Sequence, residues 1–305
     1  MNLSRNRATT TLAFVGLGRQ GQRHLACAHR LRESEQIDIV AAIDVDPLCA
    51  AAAAEFGVPF FSDIRELPFD VDACVVATPT IAHLRVGELL LDRGIDLLIE
   101  KPVASSLSQT RALVDRAELR DCVLQVGYLE RYHPSFASIR PDFSSPTEIV
   151  SERSTKGDSI RTMPDLVREV MIHDLDIIAT WLDCAPIETF WHYARADEND
   201  VEGTLDLAFN GGHRVRLFAH SGAAVAVRRT VVRSDDRSWE FAWGNSEAPT
   251  WNESGDQIRD DPITMQLRAF IGAVRSRSAP QINGKSALKA MQLAEEAIRA
   301  LPNGV

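Results

Sequence analysis

The sequence predicts an α/β domain with a doubly wound parallel sheet, followed by an α+β domain built on an open, mainly antiparallel sheet. Three observations carry that expectation. Strand-like and helix-like segments alternate through residues 1–127; polar loop segments take over after Tyr132; and apolar alternation on both sides of Asn210-Gly211-Gly212 marks a hairpin. With 305 residues, 45% apolar and 25% charged, the chain can bury a core in each domain. The boundaries read this way are 1–127, 128–284 and a C-terminal stretch 285–305 expected to pack back on the first domain.

Each element has its own signal. Leu12 to Val15 reads as a buried strand, Arg19 to Leu31 as a helix, Ile37 to Ile43 as a second strand, and Pro47 to Phe56 as an alanine-rich helix with an early proline. Asp72 to Ala77 starts another cycle, with a helix over Thr80 to Asp92 that Gly94 stops, and then the strand Leu97-Leu98-Ile99. Ser106-Leu107-Ser108-Gln109 matches a capping box for a helix to Leu119, and Val123 to Val126 closes the series. In the second domain, loop material at Ser144-Ser145-Pro146 and Thr155-Lys156-Gly157-Asp158 flanks a helix over Pro164 to Leu182. Strands follow at Leu205–Phe209, Val215–Leu217, Val225–Val232 and Trp239–Trp243, with a polar turn at Ser234-Asp235-Asp236-Arg237. Helices over Ile263–Val274 and Ala287–Leu301 end the chain.

Composition removes several classes of function. A net charge of -10 argues against non-specific nucleic-acid binding, which needs cations on the phosphates. The cysteines Cys27, Cys49, Cys74, Cys122 and Cys184 are scattered, with neither a C-x-x-C pair nor a spacing to histidine that suggests zinc, so no metal is expected and a reduced cytoplasmic setting fits. No apolar stretch approaches the roughly 20 residues that span a bilayer, and none of signal-peptide length follows the basic Met1–Arg7 segment. No membrane partner is expected.

The run Phe14-Val15-Gly16-Leu17-Gly18-Arg19-Gln20-Gly21 lies between a predicted buried strand and a predicted helix, the context a dinucleotide-binding glycine turn requires. Gly16 permits the tight turn, Gly18 admits the pyrophosphate to the backbone, and Gly21 lets strand and helix pack closely. The helix N-terminus favours negative charge. Asp44, at the end of the second strand, can accept hydrogen bonds from an adenosine ribose and would repel a 2′-phosphate, which points to NAD. Asp46, before Pro47, is the better helix cap. The first domain is therefore expected to be a Rossmann domain.

Lys101 follows a buried strand and should project from the carboxyl edge of the sheet, where open α/β sheets bind ligands. An ammonium there can orient a hydroxyl and stabilise a developing alkoxide. A cis Lys101-Pro102 peptide is expected to fix its direction. Along the apolar segment 167–182, Glu169, His173, Asp176 and Thr180 recur at spacings of four, three and four, which on an α-helix makes one polar stripe. His173 is suited to take a proton near neutral pH, and Glu169 and Asp176 can both tune it. These three have a metal-compatible geometry, but no second cluster completes a site. His83 and His133 read more simply as capping, packing or solvent-facing residues.

Through Gly16-Leu17-Gly18, Ala77-Thr78-Pro79, Glu100-Lys101-Pro102, His173 and the 284–294 stretch, nearly the whole chain resembles the glucose-fructose oxidoreductase and inositol dehydrogenase family. The resemblance implies a Rossmann domain before an open sheet, NAD as cofactor, catalysis by Lys101 and His173, and a homodimer or homotetramer formed through the second sheet. It puts Gly16, Gly18, Arg19, Gln20, Gly21, Asp44, Thr78, Pro79, His83, Glu100 and Lys101 at the cofactor. The family has an aspartate four residues before the histidine, where this chain has Glu169. The stretches 126–134 and 170–176 are similar to UDP-N-acetylglucosamine 3-dehydrogenases, which implies oxidation of a sugar 3-hydroxyl on the way to amino sugars of lipid A or surface polysaccharide. On that reading Lys101, Tyr128, Arg131, Arg161, His173 and Asp176 meet the substrate, with Arg153 and Lys156 among the cations near its phosphates. The alternatives are a free sugar or cyclitol as substrate, or an NAD-binding sensor without turnover.

Overall fold

A computed structural model describes residues 9–133, 136, 144–156, 160–197, 200–234, 237–242, 250–251, 257–258 and 261–302. The expectations for Met1–Arg7, Pro134, Gly157-Asp158, Asp235-Asp236 and Trp243 lie outside the described residues. The chain divides into two compact units, 1–129 with 262–287, and 130–261 with 288–305.

The first unit is built on β1 (Thr10–Val15), α1 (Arg19–Leu31), β2 (Ile37–Ile43), α2 (Ala50–Glu55), β3 (Phe60–Phe61), β4 (Ala73–Val76), α3 (Thr80–Asp92), β5 (Asp96–Ile99), α4 (Leu107–Leu119) and β6 (Leu124–Val126). All its strands are parallel in the order β3-β2-β1-β4-β5-β6. The order reverses between β1 and β4, and ligands of open α/β sheets bind at the carboxyl end of such a reversal. The strands read as nearly continuous apolar runs because helices cover both faces: every residue of β1, β4 and β5 is buried. The helix expected from Pro47 begins as a 3-10 turn capped by Asp46, whose Oδ1 accepts from Leu48 N at 3.0 Å. Ser106 caps α4 by accepting from Gln109 N, while Gln109 Oε1 accepts from Ser105 N.

The second unit contains β7 (Thr147–Thr155), a helical turn at Met163–Asp165, a π-helical turn over Leu166–Met171, α5 (Ile172–Leu182), β8 (Glu188–Ala196), β9 (Val201–Ala208), β10 (Arg214–Ser221), β11 (Val227–Ser234) and β12 (Arg237–Ala242). These strands form a six-stranded sheet in the order β12-β11-β7-β10-β9-β8. It is antiparallel except between β7 and β10. The expected hairpin is β9–β10, with Gly211 and Gly212 both at φ +81 in its turn. Two-residue strands β13 (Thr250–Trp251) and β14 (Gln257–Ile258) pair separately.

The units divide the C-terminal part differently from the boundaries read in the sequence. Helix α6 (Pro262–Ser276) belongs to the first unit because Ile263, Leu267, Phe270, Ile271 and Val274 are in one core with Leu12, Phe14 and Leu25. Residues 288–299 of α7 (Gly284–Arg299) are grouped with the second unit, where Ala297 O accepts from Trp191 Nε1 at 2.8 Å and Glu295 pairs with Arg168. Among the described residues, no helix is long and apolar enough to cross a membrane.

Candidate active site

In the first unit, chemistry collects at the carboxyl ends of the parallel strands. After β1 the chain turns at Gly16, with φ +90; a Cβ there would lie 2.6 Å from the carbonyl of Ala77 and from Thr78 N. A Cβ on Gly21 would lie 1.8 Å from Gly16 O, so α1 can start this close to β1 only with glycine at that position. Gly18, the N-cap of α1, provides no side-chain cap, and among the described residues a Cβ there would meet nothing within 4 Å. A helix N-terminus without a side-chain cap suits a pyrophosphate. Arg19 is exposed and Gln20 half-buried beside this turn.

Asp44 follows β2 and points back at the turn: its Oδ2 accepts from Leu17 N at 2.6 Å and its Oδ1 from Asp46 N at 2.9 Å. This glycine cradle and carboxylate fit a dinucleotide. Thr78 and Pro79 follow β4, and the Thr78 hydroxyl is buried with no hydrogen-bond partner among the described residues. His83 is buried between two carbonyls, with Nδ1 2.9 Å from Pro102 O and Nε2 2.8 Å from Thr78 O. These two contacts tie the loop after β4 to the loop after β5.

Glu100 and Lys101 follow β5, and the Lys101–Pro102 peptide is cis as expected. Lys101 is half-buried. Glu100 turns inward: its Oε1 is 2.7 Å from His24 Nε2 on α1, and its Oε2 accepts from Lys101 N at 3.2 Å. Burial pushes the Glu100 carboxyl up, but the His24 contact and the Lys101 charge outweigh it and hold the group below its ordinary range.

In the second unit, His173 opens α5, and its Nδ1 lies 2.7 Å from Glu130 Oε2. Sequence reasoning missed this partner. Glu130 is buried; burial alone would raise its pKa, yet the charges of His173 and Arg153 hold it well below the ordinary value. An ionised carboxylate only accepts hydrogen bonds, so in this contact Nδ1 carries a proton and Nε2 is the nitrogen left to exchange one.

Arg153 on β7 fixes the other side of Glu130. Its Nη1 donates to Glu130 Oε1 at 3.0 Å, and its Nε and Nη2 donate to Asp174 at 2.8 and 3.1 Å. Ser151 Oγ also donates to Asp174, at 2.8 Å.

The expected stripe along 169–180 is altered by the π-helical turn, whose i→i+5 bonding ends at Met171 and breaks the α-helical spacing between Glu169 and His173. Glu169 is half-buried within that turn, Asp176 is buried, and Thr180 is exposed with its hydroxyl donating to Asp176 O. Arg131 Nη1 is 3.5 Å from Asp176 Oδ1, while Asp176 Oδ2 is buried with no partner among the described residues. Burial pushes the Asp176 carboxyl up to about 7 despite Arg131.

The cations expected to meet substrate phosphates thus separate into two kinds. Arg131 and Arg153 are buried and held by carboxylates, whereas Lys156 and Arg161 are exposed. Tyr128, in the first unit, is 1% exposed. His133 is half-buried, and burial lowers its pKa against the pull of Glu130.

Residues 10–128 match the GFO_IDH_MocA oxidoreductase family, described by its NAD-binding Rossmann fold. The chain belongs to this family, whose members are NAD-dependent dehydrogenases acting on CH–OH groups. It is 33% identical over 287 residues to a putative UDP-kanosamine synthase oxidoreductase subunit of Amycolatopsis mediterranei, covering 89% of this chain and 71% of the relative. It is 29% identical over 233 residues to UDP-N-acetylglucosamine 3-dehydrogenase of Acidithiobacillus ferrooxidans, covering 73% and 74% of the two chains. It is 30% identical over 303 residues to inositol 2-dehydrogenase 4 of Saccharopolyspora erythraea, covering 90% and 88%. A solved structure of the Acidithiobacillus enzyme shares the fold with a TM-score of 0.80 at 21% identity, over 97% of this chain and 98% of that one.

Proposed function

We propose that this protein oxidises a secondary alcohol of a sugar to a ketone with NAD, and that the 3-hydroxyl of UDP-N-acetylglucosamine is the group oxidised. The observation that carries the chemistry is the His173–Glu130 contact at 2.7 Å, which leaves one imidazole nitrogen as a base while a buried carboxylate holds the other. Bound NAD supplies the hydride acceptor. Lys101 orients the reacting hydroxyl and stabilises negative charge as it develops on oxygen, and His173 Nε2 takes the proton. Glu130 steadies the resulting imidazolium, with Glu169 supporting from the preceding turn. The named relative from Acidithiobacillus supports the choice of substrate, and Lys156 and Arg161 are the exposed cations suited to its diphosphate.

A second reading, a free sugar or cyclitol, is favoured by the burial of Arg131 and Arg153 in carboxylate pairs, which takes two cations from phosphate recognition. Likeness to an inositol 2-dehydrogenase supports it as well. The two readings separate when the protein is incubated with NAD and either UDP-N-acetylglucosamine or myo-inositol. An aminotransferase traps the keto sugar and mass spectrometry detects the product, since ketone formation is uphill without trapping. The proposal expects trapped product from the nucleotide sugar, its loss in His173→Ala, and retained NADH binding in that variant. Turnover of myo-inositol alone assigns the second reading, and no turnover of either with intact NADH binding assigns the sensor.

A further inference from the structure

Glu100 is in an unusual position for a residue expected at the cofactor. Both of its carboxylate oxygens are used inside the protein, one by an imidazole and one by the main-chain N–H of the residue that follows it. His24 is fully buried, at 0% exposure, on α1. That helix begins at the glycine cradle, and six residues separate its N-cap Gly18 from His24, about 9 Å along the axis. The opposite side of the carboxylate is also closed, since a Cβ on Gly127 would lie 2.7 Å from Glu100 Oε2. Glycine after β6 therefore leaves the space that the carboxylate occupies.

We infer that His24 is a positioning residue which, through Glu100, holds the main chain of Lys101 in register with the helix that receives the dinucleotide. The inference rests on the reading of Lys101 as the reacting amine. A buried ionic hydrogen bond resists displacement because the carboxylate cannot exchange its partner for water. The amine therefore starts from a backbone fixed to α1, and movement of α1 when the pyrophosphate engages its N-terminus reaches Lys101 through two contacts. A histidine and a glutamate that merely filled the core would leave the lysine indifferent to which donor stands at position 24.

The lysines of this chain are Lys101, Lys156, Lys285 and Lys289, few enough for each to be followed by NMR after reductive methylation with 13C-formaldehyde. Lys101→Arg identifies the Lys101 signal, and NADH fluorescence gives cofactor affinity on the same samples. In His24→Leu, which removes the donor, the Lys101 signal should move toward that of exposed Lys156 and the Kd for NADH should rise about tenfold. His24→Gln, whose amide can donate to Glu100, should restore most of both. Glu100→Gln presents an amide N–H to Lys101 N where an acceptor stood, and should displace the signal as His24→Leu does; it serves if the leucine variant does not fold. Folded variants whose Lys101 signal and NADH affinity match those of the unaltered protein overturn the inference, as does a glutamine at position 24 that rescues neither. If the Lys101 signal of the unaltered protein ignores NADH, the reading of Lys101 as the reacting amine fails, while the dependence of the NADH-free signal on His24 is still read.

Discussion

Two histidines of this chain each meet a buried glutamate at 2.7 Å, one in each unit, and the pairs differ in their surroundings. His24 is sealed at 0% exposure, and its glutamate uses its second oxygen on a main-chain N–H. The His173 side chain keeps 17% of its surface open, and its glutamate uses its second oxygen on Arg153, which in turn holds Asp174. The same short bond therefore serves different ends. A closed pair can only hold position, whereas an open pair backed by a permanent cation can pass through a protonated state without leaving a carboxylate stranded in the core.

Four measurements test the contrast. Arg153→Met should have the largest effect, because it leaves Glu130 and Asp174 buried without their cation; urea unfolding should show a loss of about 3–5 kcal/mol. A loss within the range of a surface ion pair would mean that the open pair does not depend on its backing. Glu130→Gln should lower kcat about 100-fold with little change in KM or NADH affinity, while Glu169→Gln should stay within about threefold. If steady-state kinetics reverse that order, the orienting role belongs to Glu169.

Asp176→Asn tests the cost of burying an acid beside the open pair. The folded-state pKa of Asp176, at about 7, lies above its ordinary value, so its contribution to stability is complete below the ordinary carboxylate range and is lost as pH rises through about 7. The unaltered protein should therefore lose about 2 kcal/mol relative to the variant between about pH 5 and about pH 8, read from paired urea titrations. Glu130 has the opposite sign: its lowered pKa stabilises the fold above the ordinary carboxylate range, and that stability is lost on acidification. A flat difference between the two proteins across this window would show that Asp176 is not held protonated. Asp46→Ala, which removes a purely local cap in the first unit, should cost only about 1 kcal/mol by the same method. A cost equal to that of Arg153→Met would erase the distinction between local and long-range polar contacts.

What the sequence could show follows the same division. The glycine turn, the Asp46 cap and the Ser106 cap were legible because each is completed within a few residues, and Gly16, Gly18 and Gly21 can be read from spacing alone. Glu130 was not legible as the partner of His173, because 43 residues separate them and no periodicity connects a loop to a helix start. Glu169 drew the expectation instead because four residues make a neighbour on an α-helix, a rule that the π-helical turn suspends. Strand β7 was missed for a related reason. Its inward positions include Ser151 and Arg153, so the polar network that serves His173 also erased the apolar alternation that marks a strand. Strand β3, only two residues long, has no period to detect.

Asp44 has a consequence for how this chain could change its redox currency. Its two oxygens are already engaged by the N–H groups of Leu17 and Asp46, so the carboxylate braces the glycine loop as well as presenting charge at its rim. Replacing Asp44 with a neutral side chain to admit a phosphorylated dinucleotide would strand two main-chain donors and loosen the loop that grips the shared pyrophosphate. Such a change would have to begin with substitutions that satisfy those donors, and only afterwards add an arginine.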